Sequence, residues 1–86
     1  MPTPSVDEVA ATLVGFVNAN IMAPGHAIAA GDRFEAAGVD SMALLKILLF
    51  VEREFGFWVP EQDQVDHNVA SATALARYVA GYLAAR

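Results

Sequence analysis

Apolar residues recur at three- and four-residue spacing in three stretches of this chain, and no stretch shows the two-residue alternation of a strand. The first stretch follows Ser5 and Glu8, which fit a capping box, and runs to about Ala19. The last begins near Ser71 and continues to the end of the sequence. This pattern predicts an all-α fold.

The middle stretch has well-marked ends. Asp40 or Ser41 can serve as its N-cap, and Gly56, directly after Phe55, is the residue type that commonly ends a helix. The spacing predicts a core-facing set on this helix, consisting of Leu44, Leu45, Ile47, Leu48, Val51 and Phe55.

Glycines and prolines interrupt residues 20–40, so the sequence predicts a long loop between the first two helices. The loop contains enough apolar residues to be held in order against a core: Ile21, Ile28, Phe34 and Val39. After Pro60, a short third helix is predicted at 62–67. We therefore expect residues 1–86 to form one four-helix bundle domain, with three main helices and a short third helix.

Composition excludes several classes of function. The net charge of -5 disfavours nucleic acid as a partner, and the absence of cysteine excludes disulfides, thiolate catalysis and cysteine-based zinc sites. His26 and His67 alone make no case for a metal. The most apolar stretch, residues 42–51, is shorter than the about 20 residues of a membrane span, and residues 1–8 lack a basic leader. We expect a cytoplasmic monomer.

The strongest local feature runs from Gly38 to Met42, where Ser41 stands between a loop and a helix start. A helix N-terminus has unpaired N–H groups and a partial positive charge, so it favours an anion attached to the Ser41 oxygen. Gly38 has no side chain to obstruct an enzyme that approaches this hydroxyl. Asp40 precedes the serine, and the large apolar Met42 follows it.

The segment Gly38-Val39-Asp40-Ser41-Met42 resembles the Asp-Ser-Leu attachment motif of acyl carrier proteins. The resemblance extends over nearly the whole chain. Residues 52–60, Glu-Arg-Glu-Phe-Gly-Phe-Trp-Val-Pro, are similar to the family's acidic-Phe-Gly-apolar segment, and residues 68–79 are similar to its approach to the last helix.

The resemblance implies that a phosphopantetheinyl transferase, using coenzyme A and a divalent metal, attaches 4′-phosphopantetheine to Ser41. It implies that the transferase recognises Asp40 and Met42, and that partner enzymes dock chiefly on helix two. A cargo-loading ligase or synthase would place an acyl intermediate on the arm as a thioester. The chain itself would have no catalytic residue and would not be an enzyme.

Some residues depart from the family pattern. Met42 replaces the usual leucine, and Lys46 lies on a helix face that is acidic in carriers of fatty acid biosynthesis. We therefore expect a specialised carrier, serving secondary-metabolite, polyketide or lipid biosynthesis through a more apolar docking surface. Trp58, expected to face outward, would widen that surface together with Leu49 or Phe50.

Two other functions also agree with the sequence. The carrier could hold aminoacyl or peptidyl cargo, because the loading enzyme chooses the cargo. The domain could also be an unmodified helical adaptor that binds partners through helix two. A hydrolase using Ser41, Asp40 and His26 is disfavoured, because adjacent Asp and Ser cannot form the usual relay and no Gly-x-Ser-x-Gly elbow surrounds the serine.

Overall fold

The structure, a computed structural model, describes residues 3–86, and the predicted all-α fold is confirmed. Residues 1 and 2 lie outside the described part. In chain order the elements are α1 (Val6–Asn20), α2 (Ser41–Phe55), a 3-10 turn (Glu61–Asp63), α3 (Asp66–Val69) and α4 (Ala72–Ala85). Between residues 3 and 86, none of the helices has both the length and the apolarity needed to cross a membrane.

The predicted helix starts of α1 and α4 rest on local hydrogen bonds. The Glu8 N–H donates to the Ser5 hydroxyl at 3.1 Å, and the Ser5 N–H donates to the Glu8 carboxylate at 3.0 Å, which completes the capping box. The backbone N–H of Ser5 also lowers the pKa of Glu8, because it stabilises the charged carboxylate. At α4 the Ala74 N–H donates to the Ser71 hydroxyl at 3.1 Å.

The core lies mainly between α1 and α4, which pack against each other more extensively than any other helix pair in the described residues. Alanines at 72, 76 and 80 recur every four residues on α4 and are buried, so the two helices can approach closely. The fully buried larger side chains come from α1, α2, α4 and the segment after α2: Val9, Leu13, Val17, Ile47, Leu48, Val51, Val59, Leu75 and Val79.

The long loop between α1 and α2 is held at several points, as its apolar residues predicted. The Asn18 side chain accepts from the Ile28 N–H at 2.8 Å and donates to the Ile28 carbonyl at 3.1 Å. The Phe34 N–H donates to the Ala70 carbonyl at 2.8 Å, and Phe34 itself is buried. The loop is therefore fixed to α1 and to the segment that precedes α4.

The predicted third helix at 62–67 is wrong in its bounds. The structure has a 3-10 turn at Glu61–Asp63 and a separate helix α3 at Asp66–Val69. Gln64 between them has a non-helical backbone (φ -82°, ψ 57°), and its side chain donates to the Val59 carbonyl at 2.9 Å. The Asp63 carbonyl accepts from the Asn68 side chain instead of continuing a helix. Side-chain contacts thus divide the segment.

Tyr78 of α4 forms a hydrogen bond to this segment. We predict that a pH titration detects this bond through the ionisation of the Tyr78 hydroxyl. Its hydroxyl donates to the Asp63 carboxylate at 2.7 Å. Burial, and then this hydrogen bond, raise the pKa of Tyr78 to about 12 from an ordinary value of 10.0. Because the folded state favours the neutral phenol, its contribution to stability is complete below pH 10.0 and is lost as the pH rises through about 12.

The measurement is tyrosine absorbance against pH for the wild type and for Tyr78→Phe. The difference between the two curves isolates Tyr78 and should have its midpoint near 12. A midpoint at 10.0 would contradict the hydrogen bond to Asp63.

One predicted core residue of α2 is wrong. Leu45 is 42% exposed, whereas Ile47, Leu48 and Val51 are buried. At about 100° per residue, Leu45 lies about 200° around the helix from Ile47, so it faces away from the core. Leu44 and Phe55, also predicted to face inward, are partly buried and pack against the core.

Candidate functional site

The loop ends in one helical turn that leads directly into α2. The Val39 N–H donates to the Phe34 carbonyl at 2.9 Å, and the Gly38 N–H donates to the Glu35 carbonyl at 3.2 Å. These two bonds form a Schellman motif, in which Phe34 and Val39 are both buried. Gly38 adopts φ 86°, the left-handed conformation that this motif requires. The glycine is therefore explained by backbone geometry.

We predict that Gly38→Ala destabilises the domain by about 1–2 kcal/mol, the usual cost of a left-handed conformation for a residue with a Cβ. Steric crowding is not the cause, because a Cβ at Gly38 would meet no atom within 4 Å. The free energy of unfolding in urea measures the effect. Gly31→Ala is the matched control, since Gly31 also has open space and lacks a positive φ; an equal loss in both variants would contradict the assignment.

Asp40 is the N-cap of α2, and Ser41 is the first helical residue. The Asp40 carboxylate accepts from the Ala43 N–H at 2.9 Å, so it occupies the capping position that Ser41 could have taken. The Ser41 side chain is exposed, and its hydroxyl forms no hydrogen bond with another residue between positions 3 and 86. A reagent from solution can therefore reach it.

All three serines of the sequence lie at helix starts, but their hydroxyls are used differently. Ser5 and Ser71 are N-caps that accept backbone N–H donors. Ser71 is also buried. Ser41 is neither buried nor a cap, so its hydroxyl differs from the others in being both exposed and without an acceptor role.

The start of α2 also suits an anion on Ser41. The first backbone bond of the helix runs from the Leu44 N–H to the Asp40 carbonyl at 2.8 Å, and Asp40 occupies the Ala43 N–H. The N–H groups of Ser41 and Met42 therefore remain as donors without an acceptor in residues 3–86. They lie at the positive end of the helix dipole, so a phosphate joined to the Ser41 oxygen fits this position.

The predicted recognition residues of α2 lie on its outer surface. Met42, next to Ser41, is 68% exposed, and Lys46 and Leu49 are also exposed. Phe50 is partly buried and stacks on Phe16 of α1, with ring centroids 4.2 Å apart and planes 16° from parallel. Exposed side chains therefore extend from the start of α2 along the helix.

Trp58 faces outward, as predicted, between the buried Phe57 and Val59. It is not among the residues that line the groove beside Leu49 and Phe50, so the structure does not join the indole to those two side chains. Its part in docking stays a prediction.

That groove, between α1 and α2, has a volume of about 410 Å³. Its lining comprises Phe16, Asn20, Lys46, Leu49, Phe50 and Arg53. The recognition residues predicted from the sequence do not include Arg53 or Phe16. The spacing of Lys46, Leu49 and Arg53 at i, i+3 and i+7 is the signal that identifies Arg53 as part of the same face.

A smaller cavity of about 130 Å³ lies beside Leu44, between the loop, α2 and α3. Arg33 and Asp66, which both line it, form an ion pair at 2.9 Å and are largely exposed. Within the part of the chain that the structure describes, no group of three or more His, Asp or Glu side chains could hold a metal ion.

Comparison with known families gives a match, and comparison with curated proteins gives no significant match. The matching family is described as "Phosphopantetheine attachment site", and the match covers residues 5–79. That range includes α1, the loop, α2, α3 and the first half of α4. Members of this family carry covalently attached 4′-phosphopantetheine. The chain therefore belongs to the phosphopantetheine attachment site family and is a carrier protein, in agreement with its resemblance to acyl carrier proteins.

Proposed function

We propose that Ser41 is the attachment residue and that the domain carries acyl intermediates as thioesters on the 4′-phosphopantetheine arm. The single observation that supports this assignment best is the state of the three serine hydroxyls. Ser5 and Ser71 are engaged as helix caps, whereas the Ser41 hydroxyl is exposed and has no hydrogen-bond partner in the described residues 3–86. The arm supplies the thiol that a chain without cysteine lacks.

Attachment joins the Ser41 oxygen to the phosphorus that bears the pantetheine half of coenzyme A. The bond to the nucleotide half breaks, and the hydroxyl proton passes to a base of the transferase. The contribution of this chain is positional. Asp40 fixes the start of α2 through the Ala43 N–H, and Gly38 sets the turn before it. The exposed Met42 offers the transferase an apolar contact beside the reacting oxygen.

We propose that the chain is not an enzyme. Carrier domains of this family are generally not catalytic. A hydrolase would need a base that accepts the Ser41 proton, and the Ser41 hydroxyl has no hydrogen bond to a histidine in residues 3–86. The Asp40 carboxylate instead caps the helix. We also propose a cytoplasmic monomer, on the basis of the composition.

The cargo is proposed to be an acyl group of a specialised pathway, on the basis of the apolar and basic side chains at Met42, Lys46 and Leu49. Aminoacyl or peptidyl cargo is the second candidate. The loading enzyme selects the cargo, and the same kind of carrier domain serves for each cargo. An unmodified adaptor explains neither the family match nor the free hydroxyl at the helix start.

The experiment is the intact mass of the wild-type protein after incubation with coenzyme A, magnesium and a broad-specificity phosphopantetheinyl transferase. We expect the mass of one phosphopantetheine to be added. If a folded protein gains no mass, the variant Met42→Leu restores the family's usual residue. Addition to that variant alone would show that the transferase used rejects Met42, whereas no addition to either protein would contradict the proposal.

A further inference from the structure

Four exposed residues form a stripe along α2 that starts directly after Ser41. Met42, Lys46, Leu49 and Arg53 follow one another at i, i+4, i+7 and i+11, so they share one face of the helix. Apolar and basic side chains alternate along this stripe. Two of the five basic residues of the sequence therefore lie on a single helix face.

The groove beside the stripe lies between these two cations, and three of its six lining residues, Phe16, Leu49 and Phe50, are apolar. The stacked rings of Phe16 and Phe50 contribute to its lining. The Arg53 guanidinium lies over the Phe50 ring, 5.9 Å from its centroid, and Lys46 also lines the groove. The volume of about 410 Å³ accommodates a large apolar side chain.

The stripe is basic although the chain as a whole has a net charge of -5. Among residues 3–86, no acidic one lines the groove. Glu52 and Glu54 are neighbours of Arg53 in sequence, but each points about 100° away from it around the helix. This face therefore has a local charge opposite in sign to that of the protein.

We propose that the stripe and groove dock an acidic amphipathic segment of a partner enzyme. Carboxylates of the partner would lie against Lys46 and Arg53, and an apolar side chain would enter the groove beside Phe50. The inference rests on the proposed carrier function, since it names the chemistry of the enzymes that dock there. An anionic membrane surface is the less favoured occupant, because the remainder of the protein is strongly acidic.

Because the stripe begins directly after Ser41, a partner that docks along it is also placed relative to the phosphopantetheine arm. From Ser41 to Arg53 the helix rises by about 18 Å, at 1.5 Å per residue. A partner segment held along this length is fixed in direction relative to Ser41. Its active site then lies at a set distance from the attachment point.

The experiment uses the phosphopantetheine-loaded protein, labelled with ¹⁵N, and two synthetic helical peptides. Both peptides carry the same leucines, and glutamates in one are replaced by lysines in the other. We expect the glutamate peptide to shift the amide resonances of residues 42–53 in a saturable way. We expect the lysine peptide to bind about tenfold more weakly. Two exposed charge pairs, with Lys46 and Arg53, are enough to produce a difference of this size.

A charge-reversed variant tests the stripe directly. Lys46→Glu/Arg53→Glu should reverse the preference, so that the lysine peptide binds more tightly. The matched control is Arg77→Glu/Arg86→Glu, which changes the net charge equally at exposed arginines outside the groove. The control should keep the preference of the wild type, and circular dichroism should show all three proteins folded.

The proposal is overturned if the peptides bind equally, if neither binds at millimolar concentration, or if the shifts lie outside both α2 and the α1 residues that line the groove, Phe16 and Asn20. It is also overturned in favour of a membrane surface if phosphatidylglycerol vesicles bind the wild type but not Lys46→Glu/Arg53→Glu. Failure of the carrier function is separate, because the intact mass reports it before any peptide is added.

Discussion

Replacing Ser41 with alanine is expected to abolish phosphopantetheine attachment completely while leaving the fold unchanged. Without the hydroxyl no phosphodiester can form. The side chain is exposed and its oxygen has no hydrogen-bond partner in residues 3–86, so the free energy of unfolding should change by less than about 0.5 kcal/mol. Intact mass after treatment with the transferase measures attachment, and urea unfolding measures stability.

Ser5→Ala is the matched control, and it should behave in the opposite way. It removes the hydroxyl that caps α1, so stability should fall by about 0.5–2 kcal/mol. Attachment should be unaffected, because Ser41 is intact. Modification of Ser41→Ala, or loss of modification in Ser5→Ala, would contradict the assignment of the site.

Replacing Leu48 with alanine is expected to destabilise the domain by about 2–5 kcal/mol. Leu48 is 2% exposed and belongs to the main core. A domain of 86 residues has a total stability of roughly 4–13 kcal/mol, so this single change removes a large part of it. The midpoint of urea unfolding, followed by circular dichroism, should shift accordingly.

Leu45→Ala is the control on the same helix, three residues earlier. Because Leu45 is half-exposed, the same chemical change should cost less than about 1 kcal/mol. Equal losses in the two variants would show that Leu45 lies in the core, as its apolar spacing alone predicts, and would contradict the packing of α2.

The ends of the main helices could be predicted from sequence because their signals act over a few residues. Ser5 and Glu8 bond to each other across a single turn. Gly56 ends α2 with φ 82°, and its N–H donates to the Glu52 carbonyl at 2.9 Å. Each of these arrangements depends on residues within four positions of one another, so tertiary packing does not alter it.

The bounds of the third helix could not be predicted, because side-chain hydrogen bonds outside the helical pattern decide them, one of them from α4. Asp63 accepts the Tyr78 hydroxyl of α4, fifteen positions away in sequence. The Gln64 side chain turns back to the Val59 carbonyl. These contacts favour a turn and a separate short helix over the continuous helix that local preference suggests.

The candidate site, like the fold, could be predicted from the sequence only in part. The serine and its flanking residues were identified from the motif, but the sequence left Asp40 and Ser41 as alternative N-caps. The bond from the Ala43 N–H to Asp40 decides between them and leaves the serine free. The groove could not be predicted, because Phe16 and Phe50 lie on different helices and only their stacking reveals it.

The most direct test of the account is to locate the added phosphopantetheine by tryptic peptide mapping. Cleavage after Arg33 and Lys46 releases residues 34–46, in which Ser41 is the only residue with a hydroxyl group. We predict that this peptide alone gains the mass of one phosphopantetheine. Added mass on residues 1–33, which contain Ser5, or on residues 54–77, which contain Ser71, would contradict it.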